Sequence, residues 1–131
     1  MMRAYGPAFA IALLHCPASA QGQQTLVCPV TRKLDSERIY TAEELVRGQF
    51  RMEVVMSSET DVKLRRCSFA TSVGKVTCDE YAPDRIAQDP FTGITKFYHF
   101  NSHFDVQVFK DGRFVENNGR GSVAFGTCSS Y

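Results

Sequence analysis

From residue 49 onward the chain changes character at every second position. Phe50, Met52, Val54 and Met56 alternate with Gln49, Arg51, Glu53 and Val55. Side chains that alternate in this way project to opposite sides of an extended backbone, so the segment reads as a half-buried antiparallel strand. The stretches 61–69 and 75–81 read as the next strands, joined through Ser72-Val73-Gly74. Pro83 and Pro90-Phe91-Thr92-Gly93 break the pattern. Asp111-Gly112 between Phe109 and Phe114, and Asn117-Asn118-Gly119 between Val115 and Val123, are hairpin signals, because their residues tolerate the positive φ that tight strand-to-strand turns demand. Gly121 is placed to ease a bulge beside the second turn.

Residues 94–108 extend the argument. Ile94, Tyr98, Phe100, Phe104, Val106 and Val108 fall on even numbers, and Thr95, His99, Asn101, His103, Asp105 and Gln107 on odd ones, with Lys96 and Phe97 as exceptions. A two-residue hairpin at Asn101-Ser102 would reverse the phase, and the phase does not reverse. The favoured reading is one long strand, bent or bulged near Asn101. The alternative is a longer loop that preserves the phase. Upstream, 26–33 reads as a first strand, which Pro29 places at an edge or a bulge. Thr41-Ala42-Glu43-Glu44 forms a capping box, and Gly48 supplies a stop, so one helix of about two turns is expected between them. The expected fold is all-β: a small antiparallel barrel or sandwich of seven to eight strands with one short helix. There is no Trp, so Phe must fill the core, and six of the ten Phe lie between Phe97 and Phe125.

Residues 1–20 read MMRAYGPAFAIALLHCPASA. A charge at Arg3, an apolar stretch from Ala8 to Leu14 and small residues at Ala18-Ser19-Ala20 match a secretory signal peptide. The expected organisation is therefore a signal peptide over 1–20 and a single β domain over 21–131, exported to the periplasm or secreted. Cys16 follows His15 rather than a small residue, which argues against a lipid-modified cysteine. Cleavage removes Arg3 and Cys16, leaving bases and acids in balance and four cysteines. In an oxidising compartment an even set reads as two disulfides. Four cysteines allow three pairings. The expected one is Cys67–Cys78, across a short hairpin-like stretch, with Cys28–Cys128, joining first strand to last and favouring a closed barrel. The absence of a Cys-x-x-Cys pair argues against zinc.

Several function classes drop out. No block of like charge offers a footprint for nucleic acid. No apolar run is long enough for a membrane-spanning helix, and charges on both strand faces disfavour an outer-membrane barrel. No catalytic Ser motif, candidate catalytic Cys or dinucleotide fingerprint is present. Asp79, Glu80, Asp84 and Asp89 lack calcium-loop spacing. Lys63, Arg65 and Arg66 form a local basic cluster, of which Lys63 and Arg65 share a face. No cofactor or metal is expected. What remains is a polar strand face bearing His99, Asn101, His103 and Asp105, and a turn bearing Asn117, Asn118 and Arg120. A carboxylate beside an imidazole on one strand face can serve acid–base chemistry, so His99, His103 and Asp105 are the catalytic candidates of a hydrolase reading, with Arg85 or Arg120 as an anion partner.

Lys96-Phe97-Tyr98, Phe104-Asp105-Val106-Gln107, the run from Phe114 to Gly121 and the closing Phe125-Gly126-Thr127-Cys128 are together similar to a group of small exported bacterial proteins of uncharacterised function. The resemblance implies a periplasmic or secreted setting and no activity. The expected function is an exported, β-barrel-like binding, interaction or inhibitor-type module without catalysis. Its expected partner is an envelope or extracellular protein or a small ligand, bound at the polar face or the Asn117–Gly121 turn. A small secreted hydrolase and a small-ligand carrier are the alternatives.

Overall fold

The structure is a computed structural model that describes residues 22–130. The expected signal peptide over 1–20, with Cys16, lies outside them, as do Gln21 and Tyr131. In chain order the elements are β1 (Gln24–Leu34), α1 (Ala42–Gly48), β2 (Arg51–Met56), β3 (Val62–Ala70), β4 (Lys75–Tyr81), β5 (Arg85–Gln88), β6 (Thr95–His99), β7 (Phe104–Val108), β8 (Arg113–Asn117), β9 (Val123–Thr127) and β10 (Ser129–Ser130). The strands form one antiparallel sheet in the order β4-β3-β2-β1-β9-β8-β7-β6-β5, and β10 adds to β1. The described residues are thus mostly β with one short helix, as the alternation and the capping box imply. Two expectations are corrected. The described residues form ten strands rather than seven to eight, and the sheet curls into a half-barrel instead of closing. The first and last strands do meet, since β1 pairs with both β9 and β10. The open side lies between β4 and β5, which follow one another in the chain and form the two ends of the sheet.

Even-numbered residues of β1, β2, β3, β7 and β8 supply the concave core: Cys28, Met52, Val54, Val62, Leu64, Phe104, Val106 and Phe114 are all buried. β1 is shared between two half-sheets. Its residues Gln24 to Pro29 pair with β2, and Val30 to Leu34 pair with β9. Where it changes partner, one extra residue, Thr31, bulges between Val30↔Gly126 and Arg32↔Phe125. After the bulge the inward parity of β1 switches from even to odd, and Lys33 stands beside buried Ala124. Gly126 permits the close approach of β9 to β1, since a Cβ there would collide with the Pro29 carbonyl oxygen and the Phe114 ring.

α1 is capped as its sequence implies: Thr41 Oγ1 accepts from the Glu44 amide and Glu44 Oε1 accepts from the Thr41 amide, each at 3.2 Å. Gly48 is the last helical residue rather than the stop, and Gln49 takes the left-handed conformation with φ 47°. A Cβ at Gly48 would strike the Phe50 ring where it stands, so a side chain there would displace that ring. The disulfides are Cys28–Cys128 and Cys67–Cys78. The second joins directly paired residues of β3 and β4.

Candidate functional site

The structure separates the histidines from the aspartate. Residues 94–108 are not one long strand: β6 and β7 form a hairpin around the four residues Phe100 to His103, in the register His99↔Phe104 and Tyr98↔Asp105. A four-residue loop sets odd positions of β6 against even positions of β7, so the expected common face does not exist. Phe97, the exception to the alternation, is the buried residue of β6. Tyr98 lies on the convex face instead, with the Lys96 ammonium 4.9 Å from its ring centroid.

His99 accordingly faces inward. Its ring stacks edge-on against Tyr81 at 5.1 Å and near Phe104 at 6.3 Å, and its Nδ1 lies 3.1 Å from Ser102 Oγ. Asp105 is on the other side of the sheet, 3.8 Å from Lys96 Nζ. His103 sits exposed in the turn with φ 53°, and Asn101 is exposed beside it. What the structure does bring together is the β6–β7 turn, which carries Asn101 and His103, and the turn from Asn117 to Gly121. Gly119, with φ 73°, packs so closely on the β6–β7 turn that a Cβ would collide with the carbonyl oxygens of Ser102 and His103. The side-chain oxygens of the second loop are used within it. Asn117 Oδ1 accepts from the Gly119 amide at 2.9 Å, and Asn118 Oδ1 accepts from the amides of Arg120 at 2.7 Å and Ser122 at 3.0 Å. Arg120 is exposed.

A concavity among the described residues has a different lining. A cleft of about 770 Å³ runs along the open side of the half-barrel, between β5 and the β2–β3 turn. Its floor is apolar: Leu26, Met56, Val62, Ile86, Phe97 and Val108, contributed by six strands. Ser58, Glu59, Thr60, Arg85, Gln88 and Thr95 form a polar rim. The cleft follows from the topology. Had β4 and β5 paired, the strands would have closed around the core, and side chains fill small closed barrels. Residue reasoning missed this site because its floor is assembled from positions scattered between 26 and 108; only the inward parity of each strand hinted at it.

The basic cluster divides across the sheet. Arg65 is on the convex face, where its Nη1 lies 3.0 Å from Glu53 Oε1 and Arg51 Nε lies 2.7 Å from Glu53 Oε2. Arg66 is on the concave face, with its Nε 2.6 Å from Glu116 Oε1. Among the described residues, one trio gathers three potential metal-ligating atoms: Glu53, Cys67 and Cys78, within 4.8 Å of one another. Its two sulfurs are bonded to each other, and thiolates rather than disulfide sulfurs ligate metals. Comparison with known proteins adds no relative: no family model matches the chain, no curated protein matches its sequence, and no solved structure matches its fold.

Proposed function

We propose that this chain is an exported, noncatalytic binding module that holds a small, largely apolar ligand in the cleft along β5. The observation that carries the reading is the apolar floor of a cleft of about 770 Å³, a volume within the range of small-molecule sites of roughly 300–1,000 Å³. Burying apolar surface on Leu26, Met56, Val62, Ile86, Phe97 and Val108 supplies affinity, and the hydroxyls, amide and charges of the rim orient a polar end of the ligand. Two disulfides are compatible with the oxidising surroundings of an exported protein. The separation of Asp105 from His99 across the sheet favours binding over acid–base hydrolysis.

An environment-sensitive apolar dye, 8-anilinonaphthalene-1-sulfonate, tests this directly. We expect one saturable site on the oxidised protein. Ile86→Glu places a charge in the floor at an edge strand and should weaken the dye by about tenfold or more, since an unpaired charge in an apolar site costs several times the energy of a tenfold change. Far-UV circular dichroism checks that the variant folds. Absence of saturable binding, or equal binding by a folded Ile86→Glu variant, would exclude the cleft as the site.

A further inference from the structure

A second pocket, of about 150 Å³, opens on the concave face and is distinct from the cleft, with which it shares no lining residue. Its polar lining comes from four strands: Lys33 of β1, Arg66 and Ser68 of β3, Asp79 of β4 and Glu116 of β8, with Arg51 of β2 at its margin. The bulge at Thr31 is what brings a lysine here, because without the extra residue Lys33 would fall on the convex side. The Lys33 ammonium lies 4.2 Å from the Phe50 ring centroid and 5.2 Å from that of Tyr40. Among the described residues no carboxylate oxygen lies within 4.0 Å of it. Burial lowers its pKa, and the nearby Arg66 charge opposes the partial compensation from Glu116. Glu116 is itself buried and held by Arg66.

The charges decide what fits. Arg51 is engaged on Glu53, and Asp79 is exposed at the rim. The lining carries three cations, Lys33, Arg51 and Arg66, against two carboxylates, Glu116 and Asp79, so one positive charge is in excess. We propose that this pocket is a site for a small oxyanion, held by the Lys33 ammonium, the Arg66 guanidinium and the Ser68 hydroxyl. An oxyanion exchanges the water around a partly desolvated ammonium for charge-assisted hydrogen bonds, which are roughly twice as strong as neutral ones. A volume of about 150 Å³ admits a small ion such as phosphate, sulfate or a short carboxylate.

Calorimetric titration of the full chain, with both disulfides formed and at low ionic strength, tests the site with inorganic phosphate, sulfate and acetate separately. We expect one-to-one saturable binding by at least one of the three. The preference between phosphate and acetate shows whether the natural ligand offers a tetrahedral dianion or a carboxylate. Lys33→Met should weaken binding by about tenfold or more, the typical worth of one hydrogen bond to a charged group. Ser68→Ala, which removes a hydroxyl and no charge, should weaken it by less. Dye binding in the cleft should be unchanged in both variants, so failure here is separable from failure of the cleft. The proposal is overturned if none of the three anions binds saturably, or if folded Lys33→Met and Ser68→Ala proteins bind as the unmodified chain does.

Discussion

Glu116 shows how a single buried charge is kept in a small core. The residue is 7% exposed, directly beside the apolar layer that contains Phe114 and Phe104. A buried carboxylate without a partner there would carry a large desolvation cost uncompensated. The Arg66 guanidinium prevents this by approaching at 2.6 Å from β3, across the concave face, and it also lies 5.3 Å from the Phe104 ring centroid. The pair thus bridges the two half-sheets. Removing one partner of a buried pair typically costs about 3 to 5 kcal/mol, chiefly because the other charge is left uncompensated. Here Arg66 is partly open to solvent and Lys33 supplies some field, so Arg66→Met should cost less, about 2 to 3 kcal/mol in urea unfolding. The Arg66→Met/Glu116→Leu double variant should recover at least half of that loss, because an apolar replacement of both partners leaves no orphaned charge. A single variant that unfolds at the unmodified midpoint would show that the pair carries no stability.

At the level of the element, α1 has seven residues and buries none of them fully. A helix that short does not persist on propensity alone, so its ends must hold it. The Glu44 carboxyl sits below its ordinary value of 4.5, first through its hydrogen bond and ion pair with Arg38 and then through the Thr41 amide it accepts from. A depressed carboxylate contributes stability that is present above its ordinary pKa and is lost as pH falls through the lower folded value. The protection of amides 42–48, taken relative to the intrinsic exchange rate at each pH, should therefore fall on acidification below pH 4.5. Thr41→Ala should lower it at neutral pH, by about 1 kcal/mol of local opening energy. Unchanged protection in both experiments would mean that packing on β1 and β3 holds the helix. This element was legible in the sequence because its signal is local: four consecutive residues contain both partners of the box. The β6–β7 hairpin was not, because a four-residue loop has no fixed composition and Tyr98 and Phe100 imitate core residues while remaining outside the core. β5 and β10 escaped because runs of four and two residues are too short for a period of two to show. The cleft escaped for another reason: each strand reveals which of its residues point inward, but not that β4 and β5 stay apart and leave those residues open to a ligand.

The whole molecule depends on β1, which belongs to both half-sheets and bends at the Thr31 bulge. Whatever fixes β1 against the end of the chain fixes the angle between the halves, and with it the width of the cleft on the open side. Cys28–Cys128 does this, joining the fully buried Cys28 to the segment between β9 and β10 across a sequence separation of 100 residues. Cys67–Cys78 spans only 11 residues and staples a single hairpin. On the chain-entropy model a loop of the first length is worth about 4 to 5 kcal/mol and one of the second about 3. Cys28→Ala/Cys128→Ala should therefore destabilise the protein by about 2 kcal/mol more than Cys67→Ala/Cys78→Ala, with the cavity left by Cys28 adding to the difference. The two losses should differ in kind as well. Without the long bridge, the halves can splay about the bulge, so dye affinity in the cleft should fall even under conditions where the fold persists. Without the short bridge, β4 remains paired to β3 through seven residue pairs, and the cleft, to which β4 contributes no lining residue, should bind as before. Equal losses of affinity in the two variants would show that β1 does not govern the opening, and that the apolar floor is held by the core layer alone.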